Sequence, residues 1–521
     1  MRRLGMAAHL AALGIMALAL LAACSNQAPE DGDRGEKVGG ETKPEPYTMT
    51  TVGAIKADLE FKNGETLDDN VHLRWAEERL GIRIRYLWTV PATIFDTKLQ
   101  LELEAGRPVP DIVTIRSDSV HSLIDSGKFR EVGSLFDRYA SDTWKRAMNE
   151  SADIWEPYMR DGSKYAIPIL DYAHNSESVL WIRTDWLDKV GLEAPRTLEE
   201  LVQVMRAFTW EDPDGNGKPD THGLALALKA GANSYMGDTS WIFGAYGTIP
   251  GQWNEAPDGS LAYGSIHPGA GEALAAMQEW MAEGLLDGKA ELMDEHAAAN
   301  SFIEGKAGMI AGPHWMVYWP LGRMNADTHS ASFKAFPIPA GPEGKVGRRG
   351  AHVRNGAILI SEAMEQPERF FAYQNYLFDH YALHDGEFKY GLAENYDWST
   401  VDGKPNNDPK RVPGGAVRVA SYTLTFDGAR IPSMWREAGQ PNAIEVLLSQ
   451  QDSSMLDRFQ GAPTRTQKST RNLLSKLEEE TYNQIIYGQL STGEFEDYVR
   501  RWKGLGGDRI TEEVNEWWRD Q

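Results

Sequence analysis

A single cysteine in 521 residues, Cys24, bears hardest on what this chain can become. Without a second thiol no disulfide can form within the chain, so a fold of this length must be held by its buried core. The material is there: 41% of residues are hydrophobic and 10% aromatic, an ordinary globular composition with surface enough for two or more domains. The position of the cysteine is informative too. Arg2 and Arg3 precede an apolar run from Leu10 to Leu21 broken only by Gly14, and the small residues Ala22 and Ala23 stand just before Cys24. That is the layout of a secretory leader, with an apolar run shorter than a spanning helix needs. No later run approaches membrane-spanning length. The net charge of −23, more negative once Arg2 and Arg3 leave, disfavours phosphate backbones and anionic headgroups as partners.

Leu21-Ala22-Ala23-Cys24 resembles the lipobox of bacterial lipoproteins. The resemblance implies cleavage before Cys24, a diacylglycerol on its sulfur, and acyl chains such as palmitate holding the protein at a membrane. A plain secreted protein, or an uncleaved anchor helix with a chance cysteine, is the alternative. Residues 24–46 are rich in Gly, Pro, Glu and Asp and contain no aromatic. Such a segment cannot build a core and reads as a flexible tether.

The folded part is expected to begin near Tyr47. Met49 to Val52 is strand-like. A helix follows, capped by Asp68 or Asp69, with Val71, Trp75 and Leu80 on one face and Gly81 at its end. Ile82 to Tyr86 alternates as a strand, a helix covers Phe95 to Ala105, and Asp111 to Ile115 reads as a buried strand. This β, α, β, α, β order predicts an α/β fold with a mainly parallel sheet, and ligands of such sheets bind beyond the carboxyl ends of the strands. Arg116, Ser117 and Asp118 fall at one such end.

From here the chain resembles extracellular solute-binding lipoproteins of the sugar-importer class. The similarity runs through Ile82 to Trp88, Pro110 to Ile115 and Gly127 to Ala140. It continues through Lys164 to Pro168 with Ser178 to Arg183, which look like the first crossover between lobes, and through Asp185 to Leu192 and Ala194 to Thr197. Val353 to Ile360 resembles the second crossover. Phe302 to Ile310, Tyr390 to Tyr396 and Ile485 to Gly488 fit the same family in order. The resemblance implies a two-lobed periplasmic-binding-protein-like fold of type II, hinged by crossover segments. Lobe 1 would take residues 47–170 and 353–420, and lobe 2 residues 171–352 and 421–521. Independently, Thr197 can cap a helix with Glu200 reaching back, and Leu198, Leu201, Val204 and Met205 supply its buried face.

Asp212 to Asp220 is the most chemically specific run in the body. Oxygen-bearing side chains stand at Asp212, Asp214, Asn216 and Asp220, Lys218 offers its backbone carbonyl, and Gly217 stands sixth. The spacing matches an EF-hand loop through its ninth position, then departs: Gly223 stands where the bidentate Glu belongs. A structural Ca2+ is the expectation, because crowded carboxylates repel unless a cation offsets them. A metal-free Asp/Gly turn is the alternative.

A sugar offers flat CH faces and a rim of hydroxyls, so its site needs aromatic platforms and planar polar groups. Trp315, first after a strand, is the leading candidate. Trp319 and Trp241 follow, with Trp253 less favoured, and for each of these a place in the core is the competing reading. Arg116, Asp118, Asp171 and Arg354 are the polar candidates, and a hinge ion pair is the alternative for Arg354.

Motifs of the common enzyme classes, G-x-S-x-G, the Walker loop and H-E-x-x-H, do not occur. His380 and His384 stand four apart beside Asp379 and Asp385 and read as helix surface without a third ligand. The expected function is therefore a non-enzymatic, lipid-anchored receptor on the extracellular face of a bacterial membrane. It would be a monomer that binds a sugar or oligosaccharide and hands it to the permease of an ATP-binding-cassette transporter. A surface glycoside hydrolase or lyase is the runner-up, since paired carboxylates are invisible in a sequence, and a sensor lipoprotein on the same fold is a third reading.

Overall fold

The computed structural model describes residues 46–520 except 57–58, 118, 151–152, 172–173, 325–330, 381–387, 407 and 426–441. Cys24, the leader, most of the tether, Asp118 and His384 lie outside the described residues.

The first strand, Tyr47–Ile55, pairs in parallel with Ile82–Pro91 across the helix Val71–Leu80. That helix starts at Asn70, not at the expected Asp68 or Asp69: the Asn70 side chain accepts from the His72 and Leu73 amides. Gly81, at φ 65°, closes it by donating to the Ala76 and Glu77 carbonyls. Its buried face is His72, Leu73 and Ala76, while Val71, Trp75 and Leu80 pack at the margin. His72 is tolerated inside because its Nε2 lies 2.8 Å from the Tyr373 hydroxyl, and burial holds its pKa down near 3, so it stays neutral.

The expected mainly parallel sheet gives way to an antiparallel three-stranded sheet in lobe 1 and a mixed sheet in lobe 2. In lobe 1, Arg354–Ile360 lies between Ile112–Ile115 and Ile167–Leu170 and runs antiparallel to both. The reason is directional. The two outer strands end at the junction of the lobes, at Arg116 and Asp171, whereas the central strand brings the chain back from lobe 2 and starts there. In lobe 2 the order is Phe333–Phe336, Ser178–Arg183, Ala307–Pro313, His222–Ala225. Ser178–Arg183, arriving from lobe 1, is again antiparallel to its neighbours, while Ala307–Pro313 and His222–Ala225 run parallel. The exits of those two parallel strands therefore open on the same side, toward the junction.

Each lobe has its own core. Met49, Ile84, Ile112, Trp144, Ile167, Ile358 and Phe371 meet in lobe 1 together with Tyr422 and Leu424, which the expected boundary at residue 420 places in lobe 2, and Val52, Leu99, Ile115 and Leu359 form a second cluster there. Leu180, Trp186, Phe208, Leu224, Met277 and Met309 centre lobe 2. The closing helices, Arg465–Ile486, Glu494–Trp502 and Asp508–Arg519, add Leu477, Ile485, Tyr498, Trp502 and Val514 to that second core. Helix Leu198–Trp210 follows the sequence reading closely: the Thr197 hydroxyl accepts from the Glu200 amide at 3.2 Å, and Glu200 reaches back to the Arg196 amide at 2.7 Å. Its Leu198, Leu201, Val204 and Met205 are buried, each worth about 1.5–3 kcal/mol against leaving it in water.

Candidate ligand-binding site

The chain crosses the junction in residues 171–177 and again in 348–353, and a buried ion pair fastens the two crossings together. Glu177 is 1% exposed and Arg348 is fully buried, and Arg348 Nη2 stands 2.9 Å from Glu177 Oε2. Glu177 Oε1 accepts from Ser454 Oγ at 2.6 Å and faces His174 Nδ1 at 2.9 Å. Arg348 donates to Ser453 Oγ at 2.9 Å and to the Gln450 carbonyl at 2.8 Å. A third segment, Ser454–Met455, which pairs in parallel with Arg348–Arg349, is thus drawn into the same knot. His174 takes a left-handed φ of 60°, a backbone cost a non-glycine residue bears only where its surroundings hold it. Burial acts to raise the Glu177 carboxyl, but the His174 hydrogen bond and the Arg348 charge outweigh it and leave its pKa below the usual range.

Around this knot stand the groups that face each other across the junction. At the lobe 1 strand ends, Arg116 is exposed and reaches the Asn355 carbonyl at 3.4 Å. Asp171 accepts from Asn175 Nδ2 at 2.9 Å and from Asn355 Nδ2 at 3.3 Å. Ser117 carries a buried Oγ with no hydrogen-bond partner. On the lobe 2 side, Trp315 donates its indole N–H to the Asn175 carbonyl at 2.9 Å. Its ring lies 6.4 Å from that of Trp319 at an interplanar angle of 26°. Trp319 is 44% exposed, Tyr318 55% and Tyr235 45%. Asn175 thereby connects the polar rim of one lobe to the aromatic plate of the other. His314, which leads into Trp315, is pushed down to about 4 by burial and then by the neighbouring His174, so it is neutral at physiological pH.

Arg116, Asp171, Trp315 and Trp319 thus converge at the junction. Arg354 sits at its edge, hydrogen-bonded to Gln460, with its pKa lowered by burial. Trp241 is a correction: fully buried, it donates its indole N–H to the Asp238 carbonyl at 2.9 Å and belongs to the lobe 2 core. Trp253, 3% exposed, is core as well. It opens the short strand Trp253–Glu255, whereas Trp315 follows the strand Ala307–Pro313 toward the junction. Sequence reasoning missed Tyr235, Arg349, Asn175 and Asn355. Tyr235 had a signal, since it lies in the Gly-rich loop that leaves a buried strand. The other three had none, because their place depends on how the crossovers meet.

The acidic loop folds as a compact turn. Asp212 takes φ 48° and accepts from the Gly217 amide at 3.1 Å through Oδ2, while its Oδ1 is buried with no hydrogen-bond partner. Asn216 Nδ2 joins Asp214 Oδ2 at 2.6 Å to Asp220 Oδ1 at 3.0 Å. Lys306 Nζ meets Asp220 Oδ2 at 2.7 Å, and this bond, then that from Asn216, holds the Asp220 carboxyl below its usual range. Among the described residues no group of three acidic, His or Cys side chains closes on one point. The donors nevertheless suit a hard cation: all are oxygens once the Asn216 amide is turned end for end, and Asp212 Oδ1 lacks a partner. The departure at the twelfth position has a physical cause. Gly223 lies under the helix, where a Cβ would come 2.5 Å from Met205 Cβ, so no glutamate fits there.

The model of a family described as bacterial extracellular solute-binding protein matches residues 60–377. The chain is 26% identical over 443 residues to the polygalacturonan/rhamnogalacturonan-binding protein YtcQ of Bacillus subtilis (strain 168), covering 82% of this chain and 84% of that one. It is 28% identical over 249 residues to lipoprotein LipO of the same organism, 47% of this chain and 46% of that one. Among solved structures, the fold is shared with the substrate-binding protein FusA of Streptococcus pneumoniae in complex with kestose, at a TM-score of 0.68, with 17% identity, 91% of this chain covered and 99% of that one.

Proposed function

This chain is a bacterial extracellular solute-binding protein, and we propose that it is the receptor of an ATP-binding-cassette importer that captures an oligosaccharide between its two lobes. The observation that carries the reading is the junction itself. An aromatic plate of half-buried Trp315 and exposed Trp319 stands opposite a rim of Arg116, Asp171 and Asn355, and Asn175 touches both. Flat rings serve the CH faces of a pyranose or furanose, and planar amides, carboxylates and guanidinium serve its hydroxyls. A ligand bound to only one of these faces makes half its contacts, so it favours the closed arrangement by the affinity it gains there, and closure is what a permease can recognise.

Two further elements complete the proposal. Cleavage before Cys24 and lipidation of its sulfur would hold the receptor at the membrane, which a Cys24→Ser variant released into the medium would support. Ca2+ held by Asp212, Asp214, Asn216, the Lys218 carbonyl and Asp220 would brace the turn after helix Leu198–Trp210 by neutralising its carboxylates, a structural role far from the junction.

The test is ligand binding without conversion. A thermal-shift screen of oligosaccharides is expected to raise the melting temperature for its cognate ligand, by about 2.7 kcal/mol of added stability at a hundredfold excess over Kd. The recovered sugar should be unaltered; cleaved product would replace the receptor reading with an enzyme.

A further inference from the structure

Arg348 and Arg349 are adjacent on one short strand and point opposite ways, so their environments can be compared directly. Arg348 turns into the knot of crossovers, where Glu177 meets its charge. Arg349 turns toward lobe 2. There Nη2 donates to the Ser234 carbonyl at 2.9 Å, and the guanidinium lies 5.8 Å from the centroid of the Tyr235 ring. Its Nε is buried and meets no acceptor, and among the described residues no carboxylate pairs with it. A half-buried guanidinium whose charge meets no anion among the described residues is an unfavourable arrangement unless something from outside meets that charge.

The surroundings say what that would be. Tyr235 lies on the loop that leaves His222–Ala225, and Trp315 and Trp319 lie on the exit of the parallel neighbour Ala307–Pro313. The two exits are locked together: a Cβ on Gly312 would come 2.9 Å from the Tyr235 carbonyl. Tyr235, exposed over 45% of its surface, therefore stands on the loop beside the strand exit that carries Trp315 and Trp319, with a guanidinium over its ring. A sugar held at the neighbouring Trp315 and Trp319 can present a substituent to this cation, and a carboxylate is the substituent that an arginine fork matches in both charge and shape.

We propose that Arg349 receives a carboxylate of the ligand, so that the captured oligosaccharide carries uronic acid residues. The inference rests on the oligosaccharide-receptor reading and narrows it. It also sets aside indiscriminate anion binding: at a net charge of −23 the protein repels polyanions at long range, so selectivity for an acidic sugar must arise at short range from this one group.

Calorimetry on the full chain in detergent, with trigalacturonate and with the same trisaccharide reduced from acid to alcohol, tests it. The acid form is expected to bind about 10- to 100-fold more tightly, the range for a charge-assisted hydrogen bond in a partly buried site. Arg349→Gln should abolish that gap, and Arg349→Lys should restore part of it. Equal affinity for the two forms, binding of neutral oligosaccharides only, or a gap that survives Arg349→Gln overturns the inference and leaves the receptor reading standing. Failure of every oligosaccharide, acidic or neutral, overturns both. The comparison of the two ligands on the unaltered protein does not depend on the folding of any variant.

Discussion

Replacing Arg348 with Met removes a charge that is fully buried and strands Glu177, itself 1% exposed, without its cation. Breaking a buried pair from one side costs about 3–5 kcal/mol, most of it the penalty of the charge left behind. A chain of this length loses roughly 1 kcal/mol of stability per degree near its midpoint if it melts as one unit, so the expected drop is about 3–5 °C. Arg348→Met combined with Glu177→Gln should recover most of the loss, because no charge is then left in the knot. Acid should act in a definite direction. In the unaltered protein the Glu177 pKa is depressed, so its contribution is present above the unfolded carboxylate range and fades as pH falls through the folded value. In the single variant, burial acts without the Arg348 charge to oppose it, the carboxyl shifts upward, and protonation relieves the strain. The gap between the two proteins should therefore narrow from pH 7.5 to pH 4.5. Thermal melts followed by circular dichroism at both pH values measure it. A single variant within a degree of the parent, or a double variant no better than the single, would refute the reasoning.

Trp315→Ala should weaken oligosaccharide binding at least tenfold with little change in melting temperature, whereas Trp241→Ala, a truncation in the fully packed core, should cost about 3–5 kcal/mol of stability with affinity retained in the folded fraction; calorimetry beside thermal melts distinguishes them. Glu478, which accepts from Tyr263 at 3.3 Å and Tyr498 at 3.4 Å, has its pKa pushed up to about 7 by burial. The folded protein thus holds a proton there that the unfolded chain has released, so its contribution is full below the unfolded carboxylate range and is lost as pH rises through 7; Glu478→Gln should remove this part of the stability change between pH 5 and 8. Adding Ca2+ to a chelator-treated sample should raise the melting temperature, and Asp212→Ala with Asp214→Ala should abolish the rise. An identical melting curve with and without Ca2+ would remove the ion from the account.

Local chemistry made some of this structure readable in the sequence and left some of it hidden. The helix after Thr197 was legible because its cap, its back-reaching Glu200 and its apolar face all lie within a few residues of one another. The helix at Val71–Leu80 was legible as an element but not in its details: three oxygen-bearing residues compete for its cap, and Asn70 wins because its amide also donates to the Leu67 carbonyl at 2.9 Å. Its buried face was hidden because His72 reads as polar until Tyr373, three hundred residues away, supplies a partner. Strand direction was hidden for a similar reason. Alternating strands and helices predict parallel pairing only between neighbours in the chain, and the central strand of lobe 1 arrives from the other lobe. Within the site, Trp315 could be ranked because it follows a strand directly, while Trp241 offered the same residue type in a helix whose every position turned out to be buried. Arg349 was indistinguishable from Arg348 in sequence. Only the opposite directions of their side chains separate a structural ion pair from a group awaiting an anion.

Two lobes that close on a sugar without acting on it leave it chemically intact. Native mass spectrometry of the full protein after overnight incubation with a mixed oligosaccharide pool tests this most directly. One ligand per chain is expected, at the unaltered mass of a pool member, with the composition of the remaining pool unchanged. A chain that emerges bare from a pool containing acidic and neutral sugars, or a pool in which shorter products accumulate, would contradict it.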